Sequence, residues 1–247
     1  TCDFKDLLDL EFQQIPIKRR TEIARKLARD EQVAGYVMSS LELLLSGGDK
    51  RYFTDALLEN VIDIHSNRDA QRLLKLSDYM LQETLLDKIA YHSFRIVSYI
   101  WSGEYLQALN TQASLDLLTK ENDIDLSVYP SNILMDAMIN LFMGRFREGS
   151  DKLNKFIDLI EGNQFIQDNA VILGCRFYAS AGLILLEQEK VSKAYELSLN
   201  YRSKTNSPYF QHHLVQIEAM DFFVKGEYLN AYEKALVAIK MAKDNGY

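Results

Sequence analysis

Four histidines, His65, His92, His212 and His213, are the first side chains in this chain to weigh for chemistry. A metal site needs convergent ligands, and none of the four has a thiol or a set of carboxylates beside it in sequence. His212 and His213 are adjacent, so on a helix their side chains diverge by about 100° and do not share one ion. Cys2 and Cys175 are too few for a thiolate site, lie far apart, and read as free or buried thiols. No GxSxG elbow, HExxH, P-loop or CxxC occurs. No metal, cofactor or catalytic constellation is expected.

Two charged stretches remain. Lys18, Arg25 and Arg29 share a helix face, but Glu22, Asp30 and Glu31 lie among them, which reads as a solvated face. Lys120-Glu121-Asn122-Asp123-Ile124-Asp125 has alternating oxygen ligands without the glycine and terminal glutamate of a calcium loop, so it reads as a polar connection. Gly47-Gly48-Asp49-Lys50 shares three residues with the GGDEF signature but lacks Glu-Phe, and it reads as a helix stop.

The elements are expected to be helical throughout. The chain of 247 residues is 47% hydrophobic and 26% charged, a globular composition, with only 3 prolines and 11 glycines. Sheet proteins of this size use more of both at their turns. The apolar spacing predicts helices over 3–14, from Pro16 onward, and over 33–45, 51–65, 68–82 and 87–101. Pro130 and Pro208, each preceded by polar turn residues, are expected to open helices. No run of about 18 apolar residues is present to span a membrane. A net charge of −7 argues against direct nucleic-acid binding. Few cysteines suit either a reducing cytoplasm or a bacterial periplasm. The start at Thr1-Cys2-Asp3, without an initiator Met, reads as a piece of a longer or processed protein.

Beyond residue 87 the pattern repeats. Gly103-Glu104-Tyr105-Leu106-Gln107-Ala108, Gly144-Arg145-Phe146-Arg147-Glu148-Gly149, Glu189-Lys190-Val191-Ser192-Lys193-Ala194 and Gly226-Glu227-Tyr228-Leu229-Asn230-Ala231 align without gaps. Their turn positions are 41, 45 and 37 residues apart, within the range of about 34 to 47 found in helical-hairpin solenoids. Each segment combines a residue that closes one helix, an apolar or aromatic residue two on, and a small residue five on that admits close helix approach. Seven before the turn stand Ile96, Ala137, Gly182 and Ala219.

Gly-x-aromatic-x-x-Ala at a hairpin turn resembles the tetratricopeptide repeat (TPR). The variable spacing is similar to the divergent repeats of bacterial regulators, such as the sensor domain of the maltose-regulon activator. Arg95, Asp136 and Glu218 stand where that family usually has apolar residues, and Glu189 stands where it has glycine. The resemblance implies an all-α, TPR-like, right-handed α-solenoid of antiparallel hairpins. Residues 87–247 would form the regular repeats, with 1–86 an irregular helical part continuous with them. The family's concave-groove positions, carried across, are Ser93, Val97, Leu134, Met138, Arg176, Leu183, His213, Gln216 and Met220.

The function implied is a sensor or interaction module without catalysis. It would bind a peptide, a protein segment or a small-molecule effector within a bacterial signalling or regulatory protein. A free-standing scaffold or chaperone-like adaptor is the other reading. Leu236, Ile239 and Met241 on the last helix make homodimerisation through an end of the stack a further expectation.

Overall fold

The computed structural model describes residues 12, 14–33, 37–60, 67–126, 129–162 and 166–244. Cys2, His65 and nearly all of the helix expected over 3–14 lie outside them. The described residues form twelve helices and no strand. They are α1 (Ile17–Val33), α2 (Val37–Gly47), α3 (Lys50–Asn60), α4 (Asn67–Ser77), α5 (Leu85–Ser102) and α6 (Tyr105–Glu121). Then follow α7 (Pro130–Phe142), α8 (Phe146–Gly162), α9 (Asp168–Leu185), α10 (Gln188–Leu199), α11 (Pro208–Val224) and α12 (Tyr228–Asp244). Pro130 and Pro208 open α7 and α11, where a missing N–H costs nothing. The helix expected over 68–82 stops at Ser77, in a turn through Asp78, Tyr79 and Met80.

From α5 onward the helices pack as antiparallel pairs, α5/α6, α7/α8, α9/α10 and α11/α12. The first helix of each later pair also rests on both helices of the pair before it: α7 on α5 and α6, α9 on α7 and α8, α11 on α9 and α10. This is a TPR-like solenoid of stacked hairpins.

The four turns share one hydrogen-bond pattern. At the first, Gly103 N–H donates to Ile100 C=O at 3.1 Å and Glu104 N–H to Tyr99 C=O at 2.8 Å. Gly144 with Arg145, and Gly226 with Glu227, repeat it at distances of 2.8–3.1 Å. The paired bonds close a Schellman motif, whose turn residue is left-handed. The φ values are 79° at Gly103, 77° at Gly144 and 80° at Gly226.

The third turn corrects the sequence alignment. Its left-handed residue is Leu186, with φ 60°, and its two bonds run from Leu186 N–H to Leu183 C=O and from Glu187 N–H to Gly182 C=O. Glu189 lies inside α10, so the true spacings are 41, 42 and 40 residues. Ala194 is therefore not the counterpart of Ala108, Gly149 and Ala231; Val191 is. The close approach there is supplied from the other helix, because a Cβ on Gly182 would stand 3.0 Å from Val191 Cγ2. Gly149 keeps the expected role, since a Cβ there would meet Leu141 Cδ2 at 2.8 Å. Leu186 holds a conformation disfavoured for a side chain while 86% exposed. Leu186→Gly is expected to stabilise the protein by about 1 kcal/mol, read as a higher midpoint in urea. An unchanged or lower midpoint would contradict the left-handed turn.

The charges that stand eight before three of the four turns are held by neighbours rather than by apolar packing. Asp136 pairs with Lys152 and Glu218 with Lys234, in each case across the hairpin to its second helix. Glu218 also meets Arg202 at 2.9 Å. Arg95 bonds Asp78 at 2.6 Å and the Tyr99 hydroxyl at 2.6 Å.

The main core runs through the hairpins and includes Ile96, Leu115, Leu153, Phe156, Val171, Ala179, Val191 and Ile217. A second core holds Leu41, Leu44, Phe53, Leu57 and Leu73 of the first helices together with Phe94 of α5. Arg51 of α3 grips Asp87 of α5 through two bonds of 2.6 and 3.0 Å. Asp87 also accepts the Thr84 N–H in a capping box that starts α5. The Arg51 guanidinium holds the Asp87 carboxyl well below the usual carboxylate range.

Candidate functional site

Counting back from the left-handed residues aligns the first helices of the hairpins. Ten before the turn stand Ser93, Leu134, Arg176 and Gln216. Six before stand Val97, Met138, Ser180 and Met220. Three before stand Ile100, Leu141, Leu183 and Phe223. The corrected third turn makes Arg176 the counterpart of Gln216, and Leu183 the counterpart of Phe223. Counted from Glu189 instead, their counterparts would be His213 and Met220.

All of these residues except Leu141 and Ser180 line one of two separate hollows. Between α5, α7 and the start of α9 lies a cavity of about 550 Å³ walled by Ser93, Val97, Ile100, Leu134 and Met138, with Trp101 and Tyr209 closing it. Its polar groups are the hydroxyls and amides of Ser93, Ser131, Asn132 and Asn169, with the Tyr129 and Tyr209 phenols and the Trp101 indole. Among the described residues no charged side chain lines it. Trp101 meets the Tyr209 ring edge-on at 6.0 Å. The second hollow, about 870 Å³ and more open, lies over α9, α11 and α12. Arg176, Leu183, Gln216 and Met220 line it. Thus eight of the nine groove residues expected from sequence line one hollow or the other. His213 lines neither; its ring packs edge-on to Tyr209 at 4.4 Å, and its Nδ1 lies 3.2 Å from Gln216 Oε1.

Arg176 is the one charged side chain in the three aligned columns. Its Nε donates to Gln216 Oε1, in its own column on the next hairpin, and its Nη1 to Ser180 Oγ, one turn further along α9. Among the described residues no carboxylate is paired with it. Burial alone pushes its pKa down to about 10, so it stays charged at neutral pH. Gln216 Nε2 faces His212 Nε2 at 2.9 Å, which makes that nitrogen an acceptor and His212 a neutral imidazole. Burial and the nearby Arg176 charge both lower the His212 pKa, in agreement.

The other chemically capable residues are occupied in packing. Cys175 is buried, and burial pushes its thiol up to about 12, out of reach of nucleophilic use. Gly48 is left-handed at φ 79°, and Asp49 caps α3 by accepting the Tyr52 N–H at 3.0 Å. Arg25 of the basic stretch pairs with Asp49 and lies 4.9 Å over the Tyr52 ring. Among the described residues no group of three His, Cys, Asp or Glu side chains is placed to hold a metal, and no helix is long and apolar enough to cross a membrane.

No protein-family model matches the chain, and no curated protein matches it. Among solved structures, the nearly identical TPR-like repeats of a Podosopora anserina protein named as a kinesin light chain are similar at 14% identity. That match covers 92% of this chain and 97% of the other, with a TM-score of 0.40. So slight a likeness carries no function across, and the repeat architecture stands on the turn geometry itself.

Proposed function

We propose that this chain is a ligand-sensing or interaction module of a bacterial signalling or regulatory protein, with the concave face of its hairpins as the binding surface and no catalysis of its own. The observation that carries the reading is the apolar cavity of about 550 Å³ between first helices of successive hairpins. Its size suits one small molecule or a few anchoring side chains, and its few polar groups would fix orientation. The bacterial-regulator setting rests on the repeat resemblance and draws no support from the spacing, which the corrected turns make nearly even at 41, 42 and 40 residues.

A free-standing scaffold is the second reading. It is favoured by the last described hairpin, where Tyr228, Leu229, Tyr232 and Ile239 of α12 are all at least half exposed. Each earlier hairpin has the next first helix laid on it, so this face also suits a protein partner or a second copy of the chain.

Val97→Trp, which fills the cavity, separates these readings. A sensor is stabilised by some member of a small-metabolite set in thermal unfolding, and Val97→Trp removes the shift while keeping the helical signal. A stabilising metabolite indifferent both to Val97→Trp and to Ala235→Trp, which fills the second hollow, would contradict the concave site. A 1:1 protein partner with no metabolite effect would favour the scaffold.

A further inference from the structure

Resting on that reading, we propose that the C-terminal half of the groove takes a small aromatic acid, its anionic group seated on Arg176 and its ring in an alanine-lined slot. The slot is the hollow over α11 and α12. Ala219, Ala231, Ala235 and Ala238 line it, together with the rings of Phe223, Tyr228 and Tyr232. Methyl side chains leave a shallow flat bed, which suits a planar body better than a branched one. The Phe223 and Tyr228 rings lie 5.6 Å apart at 64°, offering edges and faces for a third ring.

The charge argument is independent of the shape. A partly buried guanidinium is commonly matched by a carboxylate, which offsets the cost of its partial desolvation. Here Arg176 has an amide oxygen and a hydroxyl instead. Among the described residues Lys243 is the other charged one on the lining, and no acidic side chain lies there. An entering carboxylate or sulfonate supplies the missing counter-charge and accepts the planar N–H fork of Arg176. Gln216 and Ser180 hold the guanidinium in place beforehand.

The test uses two fluorescent probes with the same rings, anilinonaphthalene sulfonate and the neutral N-phenyl-naphthylamine, titrated into the whole chain. The anionic probe is expected to bind about tenfold more tightly than the neutral one, reflecting a charge-assisted contact. Arg176→Met should bring the two affinities together by weakening only the anion. Gln216→Glu, which brings a carboxylate to Arg176 and keeps the side-chain length, should do the same and covers the case in which Arg176→Met does not fold. Ala235→Trp, which fills the slot, should abolish the preference. A preference for the anion that survives Arg176→Met and Gln216→Glu, or that survives Ala235→Trp, would overturn the proposal. So would a concentration-dependent dimer that Ala235→Trp dissociates, since a second copy would then fill the slot. Equal binding of both probes to the unaltered protein would refute the acid-specific proposal and leave the groove reading standing. Binding of neither would refute both.

Discussion

Gly174→Ala should destabilise the protein by about 2–4 kcal/mol, against the direction set by helix propensity. Gly174 lies inside α9, where alanine would ordinarily gain about 1 kcal/mol. A Cβ built there stands 1.9 Å from Phe156 Cε1 and 2.7 Å from Phe156 Cδ1. Phe156 is fully buried in the main core, so the ring has nowhere to retreat without opening the α8–α9 contact. An overlap of that size cannot be relieved by shifts of a few tenths of an ångström. The check is urea unfolding of Gly174→Ala, Phe156→Leu and the double variant. Removing the ring should recover much of the alanine penalty, giving a coupling above about 1 kcal/mol. A neutral Gly174→Ala would mean that α8 and α9 do not pack at this distance.

The second large effect is Phe53→Ala, expected to cost about 3–5 kcal/mol. Phe53 is fully buried in the core of the first helices, and Phe94 of α5 packs into the same cluster. Two residues further on, Ile96 belongs to the main core, so α5 carries both. We propose on this basis that residues 1–86 are structurally continuous with the repeats. Phe53→Ala should then lower the stability of the α5/α6 hairpin as well, seen as faster amide exchange at Val97 and Leu115. Exchange accelerated only before residue 85 would mean that the two parts unfold separately.

Much of the fold was legible because glycine and proline write backbone geometry directly into sequence. Gly103, Gly144 and Gly226 mark left-handed turns, and Pro130 and Pro208 mark helix starts. The third turn was misplaced because Leu186 occupies a conformation that no residue type announces. Three residues later, Glu189-x-Val191-x-x-Ala194 imitates the segment at the other turns. Because Val191 and Ala194 are both fully buried on α10, their apolar character gave no warning of the shift.

The same slip explains which parts of the groove were hidden. A register error of three moves a residue to a neighbouring column of the helix face, so Arg176 was included but matched with the wrong partners. That Gln216 of α11 holds Arg176 of α9 is a relation between helices that no local pattern encodes, whereas Ser180 lies one turn along the same helix. The charges at Arg95, Asp136 and Glu218 looked like departures from a repeat. They make sense only with Asp78, Lys152 and Lys234 opposite them.

The concave face as the ligand surface is tested most directly by methyl NMR during titration with N-phenyl-naphthylamine. The expected result is a set of saturable shifts at Val97, Leu134, Met138, Leu183 and Met220, with Leu229 and Val237 of α12 unmoved. Shifts concentrated at Leu229 and Val237, with the concave methyls unchanged, would contradict it.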